Sequence, residues 1–477
     1  MGDAADFVFL LPPGEQGVPI YLQLYRRFRT AIATGRLAPG DRVPSVRSLA
    51  SQLNLARGTV EQAYQLLTSE GYLLARGQAG TLVSPSLAGV NGALPGQGVE
   101  RRVEARASAQ PADPSPFQLG LPALDAFPRK TWVRLAGRRL RNMDTAAMTY
   151  PDPCGYEPLR RAIATYLGIS RGITCSPEQV FVTAGYRGAL DLVCRTLLQA
   201  GDSGWFEEPG YRFARQFLEA AGLQLVPVPV DAEGLDIESG CQRAEQARFA
   251  LVTPTHQSPL GVALSLPRRL ALLEWANRRQ AWIIEDDYDS EFRYHGHPLP
   301  ALKSLDREGR VLYAGTFSKV LFPGVCLAYL VVPPGQVERF RQSAALRPSP
   351  GAIVLQATVA DFMVEGHFAR HLRRMRALYA VRRGYLVRAL AEVFGERLQV
   401  QPQAGGIALL AGLDRPADDR ALAAAANALG LAVEALGDWW GGTPTRAGLL
   451  LGFANLATPE QALAAVRRLQ AALHGQV

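Results

Sequence analysis

Lys319 is the residue whose type and position most directly suggest chemistry in this chain. It follows a run of apolar, β-type residues at 311–314, and the hydroxyl-bearing Ser318 directly precedes it. A lysine amine at the end of a strand can form a Schiff base with an aldehyde or ketone, provided that it can lose its proton. The chain holds only three lysines among its 51 basic residues. We therefore treat Lys319 as a candidate nucleophile.

An acidic segment after a second apolar run would complement that amine. The run 282–284 leads into Glu285-Asp286-Asp287-Tyr288. A carboxylate at a strand end can keep a pyridine nitrogen protonated, which makes the ring an electron sink, and Tyr288 could hydrogen-bond a ring hydroxyl. A single lysine or an acidic quartet is more often part of the solvated surface, so the hypothesis depends on their joint occurrence.

Two further segments could bind the rest of such a ring compound. Gly185-Tyr186-Arg187-Gly188 joins a predicted strand at 180–183 to a predicted helix at 189–198. Amide N–H groups at the start of a helix bind phosphate. Tyr211, at the end of Glu208-Pro209-Gly210-Tyr211, could stack on the ring.

The larger part of the chain, from 117 onward, is expected to hold these residues at the edge of one sheet. Apolar β-type runs there alternate with helical stretches, at 180–183, 249–253, 282–285, 311–314 and 327–332. That alternation predicts an α/β domain with a largely parallel or mixed sheet. Residues 85–116 are rich in Pro, Gly and Ala and are predicted to form a linker.

Residues 18–84 are predicted to form a winged helix-turn-helix domain. Apolar residues at helical spacing predict three helices, and Ser45 is placed to cap the second one. Two short apolar runs at 72–75 and 81–83 predict a hairpin wing. This segment carries eight arginines against three acids, a formal charge of +5 within the +8 of the whole chain.

Several polar side chains of this segment are candidate DNA contacts. The second helix of such a motif enters the major groove, and phosphate contacts flank it. The candidates lie at the starts of the second and third helices and in the wing: Ser45, Arg47, Arg57, Thr59, Gln62, Arg76 and Gln78. The alternative is a protein-binding module whose arginines form a solvated face.

The sequence motifs resemble two known families. The segment from Pro19 to Tyr72 resembles the DNA-binding domain of the GntR family in its Pro-Gly turn, its Pro-Ser-x-Arg helix start, its Arg-x-Thr-Val helix and its closing Glu-Gly-Tyr. Nearly all of 117–477 resembles the fold-type I aminotransferases that use pyridoxal 5′-phosphate (PLP), through "YPDPCGYEPLRRAIATYLGISRG", "VTPTHQSPLG", "IIEDDYDSEFRYHG", "TFSKVLFP" and "EGHFARHLRRMRALYAVRR". Together the two parts resemble the MocR-type regulators, in which an aminotransferase-like domain senses an effector.

This resemblance implies an architecture and a set of roles. The larger domain would combine a mixed, mostly parallel sheet with a smaller C-terminal α+β subdomain. Lys319 would carry PLP as a Schiff base, with Asp286 at the pyridine nitrogen, Tyr288 at the ring oxygen and Tyr211 stacked on the ring. The protein would be a cytoplasmic homodimer on DNA with paired half-sites, and its effector would be an amine, an amino acid or PLP itself.

Three features depart from the family pattern. Cys326 occupies the position of an arginine that contacts the cofactor phosphate, and a neutral thiol cannot form a charge-assisted bond. Arg187 stands where the family commonly has glutamine, and it could supply the missing cation. Ser258 replaces the asparagine that bonds the ring oxygen in the enzymes. Arg446 is the candidate effector-binding residue, since it lies near the position of the arginine that binds a substrate carboxylate. It is not securely in register with that arginine, which weakens the expectation of an amino-acid effector.

Other classes of protein fit the composition less well. No apolar run approaches the roughly 20 residues of a transmembrane helix, and the first residues do not form a secretory signal. The five cysteines form no CxxC pair. His367 and His371 have the spacing of helical metal ligands, but they are interpreted as scaffold, so no metal is expected. Two alternative functions stay open, a working aminotransferase with an incidental DNA-binding domain and a repressor that has lost its cofactor.

Overall fold

The computed structural model describes residues 18–77, 80–89, 114–294, 299–347, 350–413 and 418–473. The chain divides between Gln110 and Pro111 into two compact units. Most of the expected linker and the candidate DNA contact Gln78 lie outside the described residues. No helix in the described part of the chain is long and apolar enough to cross a membrane.

The first unit is a winged helix-turn-helix domain, as predicted. Its described elements are α1 (Ile20–Ala33), β1 (Arg42–Val43), α2 (Val46–Leu53), α3 (Arg57–Ser69), β2 (Leu73–Ala75) and β3 (Thr81–Val83). The Ser45 side chain caps α2 by accepting a hydrogen bond from the Ser48 amide at 3.1 Å. The predicted two-stranded wing has a third strand, because β1 pairs with β3.

The second unit contains two sheets and the helices that cover them. Its helices are α4 (Arg129–Arg141), α5 (Glu157–Arg171), α6 (Gly185–Leu197), α7 (Arg212–Ala220), α8 (Ile237–Ala244), α9 (Leu266–Arg279), α10 (Val337–Ala345), α11 (Ile353–Val364), α12 (His367–Phe394), α13 (Asp419–Ala428) and α14 (Pro459–Ala472). Its strands are β4 (Val180–Thr183), β5 (Ser203–Glu208), β6 (Gln224–Asp231), β7 (Gly234–Leu235), β8 (Phe249–Val252), β9 (Trp282–Asp287), β10 (Val311–Thr316), β11 (Ala328–Val331), β12 (Leu398–Val400), β13 (Ala408–Leu413), β14 (Glu434–Ala435) and β15 (Gly448–Gly452).

The larger sheet is mixed and mostly parallel, which confirms the predicted fold class. Its eight strands lie in the order β4-β11-β10-β9-β8-β5-β6-β7. The strands from β10 to β6 are parallel, while β11 runs antiparallel to both of its neighbours. The carboxyl ends of β4, β5, β8, β9 and β10 therefore meet at one edge, where ligands bind in open α/β sheets.

The smaller sheet is antiparallel, in the order β12-β13-β15-β14, and belongs to the C-terminal α+β part of the unit. Its inward-facing leucines, among them Leu409, Leu449 and Leu451, are buried against apolar residues of α12 and α14. The outer pairs of this sheet are short, since β14 has only two residues.

A buried ion pair fixes the end of β9 against α5. Arg171 Nε donates to Asp287 Oδ2 at 3.0 Å, and the Tyr313 hydroxyl donates to the same oxygen at 2.6 Å. The guanidinium also lies 3.4 Å from Glu291 Oε1. Both Arg171 and Asp287 are buried. Removal of one partner would leave the other as an uncompensated charge in the interior.

We expect Arg171→Ala to lower the free energy of unfolding of the second unit by about 3–5 kcal/mol, because Asp287 and Glu291 lose their cation. Arg161→Ala is the matched control on the same helix. Its ion pair with Glu157 is exposed, so its loss should cost no more than about 0.5 kcal/mol. Denaturant unfolding of the full chain measures both changes, and equal effects would contradict the structural role of the buried pair.

Candidate functional site

A cavity of about 290 Å³ opens at the carboxyl edge of the larger sheet. It brings together seven of the residues predicted from the sequence: Tyr186, Tyr211, Ser258, Asp286, Tyr288, Ser318 and Lys319. Each follows or ends a strand whose carboxyl end lies at this edge. Polar residues that were not predicted also line it, namely His256, Asp289, Gln403 and Glu434.

Lys319 is buried in the wall of this cavity, and its amine donates a hydrogen bond to the Gly120 carbonyl at 3.0 Å. Burial lowers the pKa of Lys319, and Asp289, Asp286 and Glu434 oppose this only in part. A lowered pKa increases the neutral fraction of the amine, which is the nucleophilic form. Gly120 has φ +76°, and a Cβ there would lie 2.5 Å from Nζ, so a side chain at 120 would displace the amine.

Asp286 faces the cavity because side chains alternate along β9. Its neighbours are occupied elsewhere: Glu285 accepts from the amides of Leu302 and Lys303, and Asp287 pairs with an arginine. Burial raises the pKa of Asp286 to about 8, helped by nearby acids and opposed by Tyr186. Among the described residues, no basic side chain forms an ion pair with it. A protonated nitrogen of a ligand could supply the cation that this buried carboxyl lacks.

Tyr288 contacts His256, which in turn contacts Asp289. His256 Nδ1 lies 2.8 Å from Asp289 Oδ1 and 3.1 Å from the Tyr288 hydroxyl. Because a carboxylate only accepts, we assign the proton to Nδ1, and Tyr288 then accepts from it with its own O–H free to donate. Burial would lower the pKa of His256, but Asp289 outweighs this and raises it. Burial also raises the pKa of Tyr288, which keeps the hydroxyl protonated.

Aromatic rings form one wall of the cavity. The Tyr211 ring centroid lies 6.3 Å from that of Tyr186 and 5.8 Å from that of Trp439. Phe213 packs edge-on against Tyr211 at 5.6 Å. Such rings offer faces on which a planar heterocycle can stack.

The predicted phosphate-binding turn is the first turn of a helix. The sequence predicted a helix from 189, but α6 begins at Gly185, whose φ of +71° lets the chain enter the helix directly after β4. The amides of Gly185, Tyr186 and Arg187 therefore belong to the first turn, where no intrahelical acceptor is available. Their partial positive charge suits an anion.

Three of the predicted residues do not line the cavity. Gly185 lies at the start of α6, and the exposed Arg187 has its guanidinium 5.8 Å from the Phe213 ring centroid. Arg446 is exposed, and its Nη2 donates to Gln401 Oε1 at 3.0 Å. Cys326 is likewise exposed, with Sγ 3.6 Å from the Pro323 carbonyl oxygen. The register of β13 with β15 puts Leu450 in the cavity wall instead of Arg446.

The candidate DNA contacts lie on the surface of the first unit. Five of them have exposed side chains: Ser45, Arg47, Arg57, Gln62 and Arg76. Thr59 is half-buried in the first turn of α3.

Family models match both units. Residues 20–83 match the model of bacterial regulatory proteins of the gntR family, and residues 123–436 match that of aminotransferase class I and II.

Curated relatives cover almost the whole chain. The probable rhizopine catabolism regulatory protein MocR of Rhizobium meliloti is 38% identical over 93% of this chain and 91% of its own length. The pyridoxine biosynthesis transcriptional regulator PdxR of Corynebacterium glutamicum is 35% identical over 94% of this chain and 95% of its own.

Solved aminotransferases share the fold of the second unit. LysN, an α-aminoadipate aminotransferase from Thermus thermophilus complexed with N-(5′-phosphopyridoxyl)-L-leucine, is 30% identical, with a TM-score of 0.68 over 75% of this chain and 92% of its own.

We expect Asp286→Asn to stabilise the cofactor-free chain at high pH. The pKa of Asp286 is raised from 3.8 to about 8, so its ionisation destabilises the folded state progressively as pH rises between these values. Since one pKa unit corresponds to about 1.4 kcal/mol, the variant should gain at least about 1 kcal/mol near pH 8 and little near pH 4. Unfolding at the two pH values measures the difference, and a variant that gains nothing at high pH would contradict the unpaired, buried state of Asp286.

Proposed function

The chain belongs to the MocR-type GntR regulators, which are DNA-binding transcriptional regulators with a PLP-dependent aminotransferase-like domain, and we propose that it holds PLP on Lys319 as a sensor. The observation that carries this proposal is that one cavity contains both Lys319 and Asp286. Lys319 is a buried lysine whose pKa is lowered, and Asp286 is a buried carboxyl that forms no ion pair with a basic side chain among the described residues. PLP supplies an aldehyde for a Schiff base with the amine and a pyridine ring that acts as an electron sink.

Different residues of the cavity would contact different parts of the cofactor. Asp286 would hold the ring nitrogen protonated, and the Tyr288 hydroxyl, oriented by His256, would donate to the ring oxygen, with Ser258 close by. Tyr211 and Tyr186 would cover the ring. These assignments follow the charges and donors that each side chain presents to the cavity.

The phosphate would lie at the start of α6, near Ser318. The first-turn amides from Gly185 onward offer N–H donors, and Arg187 is the basic residue of this turn. Because Cys326 brings no charge, we propose that Arg187 supplies the cation by turning from the Phe213 ring toward the phosphate.

A homodimer would place two DNA-binding domains on paired half-sites, since helix-turn-helix dimers bind sites related by their own two-fold symmetry. Exposed apolar side chains support an interface on and after α4: Val133, Leu140, Met148 and the fully exposed Tyr150. Large apolar side chains that are exposed within one segment are candidates for such an interface. We further propose that the protein acts in the cytoplasm, where an operator and a small amine are both accessible.

Two departures from the aminotransferase sequence pattern favour sensing over fast transamination. Ser258 presents a shorter side chain with a single O–H donor where the enzymes have an asparagine amide, and Arg446 is exposed and donates to Gln401. Multiple turnovers with an amino acid and a keto acid would favour the enzyme instead. A featureless visible spectrum after incubation with PLP would favour a repressor that has lost its cofactor.

We expect the wild-type chain incubated with PLP to show a visible absorption band that Lys319→Ala lacks, because Lys319 is the one lysine among the described residues that line the cavity. Lys130→Ala is the matched control, as Lys130 is exposed on α4. Borohydride reduction should fix the cofactor to the peptide that contains Lys319, as read by mass spectrometry. Attachment to another lysine would contradict the proposal.

The role of Arg187 is tested separately from that of Lys319. Arg187→Ala should weaken PLP binding by about 1.5–3 kcal/mol, the range for a hydrogen bond to a charged group, without removing the visible band at saturation. An unchanged affinity would exclude Arg187 as the phosphate cation.

We expect Arg47→Ala to reduce the salt dependence of DNA binding. Each phosphate contact contributes about 0.9 to the slope of log K against log salt concentration, so the loss of one contact should lower the slope by roughly that amount. The probe is a random-sequence duplex, which requires no knowledge of the operator. Arg36→Ala removes an equal charge outside the predicted contact set, and an equal fall in slope for both variants would contradict the assignment.

A further inference from the structure

The described wall of the cavity contains more carboxyl groups than basic groups. Among the described residues that line it, the carboxyl groups are Asp286, Asp289 and Glu434, whereas the basic groups are Lys319 and His256. No arginine belongs to this described lining. An amino-acid carboxylate is normally bound by the planar fork of an arginine.

Most of the charged groups in this lining would already have a partner once PLP is bound. In the proposed function, Lys319 is covalently engaged and Asp286 pairs with the ring nitrogen. Asp289 is already bonded to His256 at 2.8 Å. Among the acids of the described lining, Glu434 is the one whose cationic partner, Arg212, lies outside the lining and at the longer distance of 3.5 Å.

Glu434 lies in β14, in the wall that the smaller sheet contributes. Its Oε2 is buried and forms an ion pair with Arg212, whose Nη2 lies 3.5 Å away, but this distance is longer than a normal hydrogen bond. The surrounding wall is apolar, formed by Leu409, Leu450 and Trp439. A ligand carboxylate here would lie beside the Glu434 carboxyl and lose its hydration among apolar side chains, which disfavours its binding.

The size of the cavity also limits the effector. About 290 Å³ lies at the lower end of the range for small-molecule sites, and PLP takes part of this volume. An effector that shares this volume with PLP is therefore expected to be small.

We infer that the effector of this site is a short primary amine that carries no carboxylate and has a second, cationic nitrogen that pairs with Glu434. This inference rests on the proposed function, because the primary amine must reach PLP on Lys319. Arg446 takes no part in it, since this side chain is exposed and bonded to Gln401.

Arg212 is the residue that could give the site a preference for ligands with a carboxylate. It lies next to Glu434, and its Nε is buried without a hydrogen-bond partner in the described structure. A rotation of its guanidinium into the cavity would create a carboxylate site. The test therefore includes Arg212 together with Glu434.

Four compounds of equal carbon number separate these possibilities: cadaverine, n-pentylamine, δ-aminovalerate and norvaline. The first three differ only at the end remote from the amine, and norvaline carries its carboxylate beside the amine. Each is titrated against the PLP-loaded full chain, with the visible spectrum and the thermal unfolding midpoint as readouts. The same titration with free PLP corrects for the intrinsic reactivity of each amine.

We expect cadaverine to bind most tightly and both carboxylates to bind at least about tenfold more weakly than n-pentylamine, a difference of about 1.4 kcal/mol. Glu434→Gln should abolish the advantage of cadaverine over n-pentylamine and narrow the penalty for δ-aminovalerate. Arg446→Ala is the matched control and should leave every ratio unchanged.

The inference is overturned if either carboxylate binds the wild-type chain as tightly as n-pentylamine, if Arg212→Ala alone removes carboxylate binding, or if no compound changes either readout of the PLP-loaded chain. A chain that takes up no PLP contradicts the proposed function itself, and the inference falls with it. A chain that takes up PLP and prefers carboxylates contradicts the inference alone.

Discussion

The structure depends on the controlled burial of carboxyl groups at the end of one strand. β9 ends in three consecutive acids, and all three are buried. Strand alternation sends them to different environments, where Glu285 accepts two backbone amides and Asp287 pairs with Arg171. These two anchors hold the strand end in register with β10, so that Asp286 and the segment leading to Lys319 reach the same cavity.

The cost of this arrangement falls on Asp286, whose ionisation is unfavourable until a cation is supplied. Natural proteins often hold such destabilised groups at ligand sites, where the ligand supplies the missing interaction. Tyr288 follows the same logic, because Asp289 and His256 fix which way its hydroxyl points before any ligand is present. Asp289 and His256 thus orient Tyr288 in the cavity before a ligand binds.

The sequence predicted the parts of this site that follow long apolar strands. Asp286, Tyr288 and Lys319 each follow such a predicted run closely, and parallel strands bring the carboxyl ends of these runs together. Tyr211 follows β5, a strand that the sequence analysis did not predict. Local signals failed where tertiary pairing decides the outcome. His256 becomes visible only through its contact with Asp289, and Glu434 belongs to a two-residue strand. Arg446 precedes β15, is exposed and donates to Gln401, which the sequence motif does not indicate.

The contact between Lys319 and Gly120 has a consequence for how a chemical event could be conveyed along the chain. Gly120 belongs to the first described stretch of the second unit, where Pro116 O accepts from the Ala432 amide and Phe117 O from the Gly452 amide. A free amine can donate to the Gly120 carbonyl, whereas a nitrogen engaged in a Schiff base has fewer hydrogens to donate and a fixed direction. Covalent chemistry at the lysine would therefore alter a backbone acceptor on the stretch that follows the DNA-binding domain in the chain. The first described segment of the second unit and the Lys319 amine are one hydrogen bond apart.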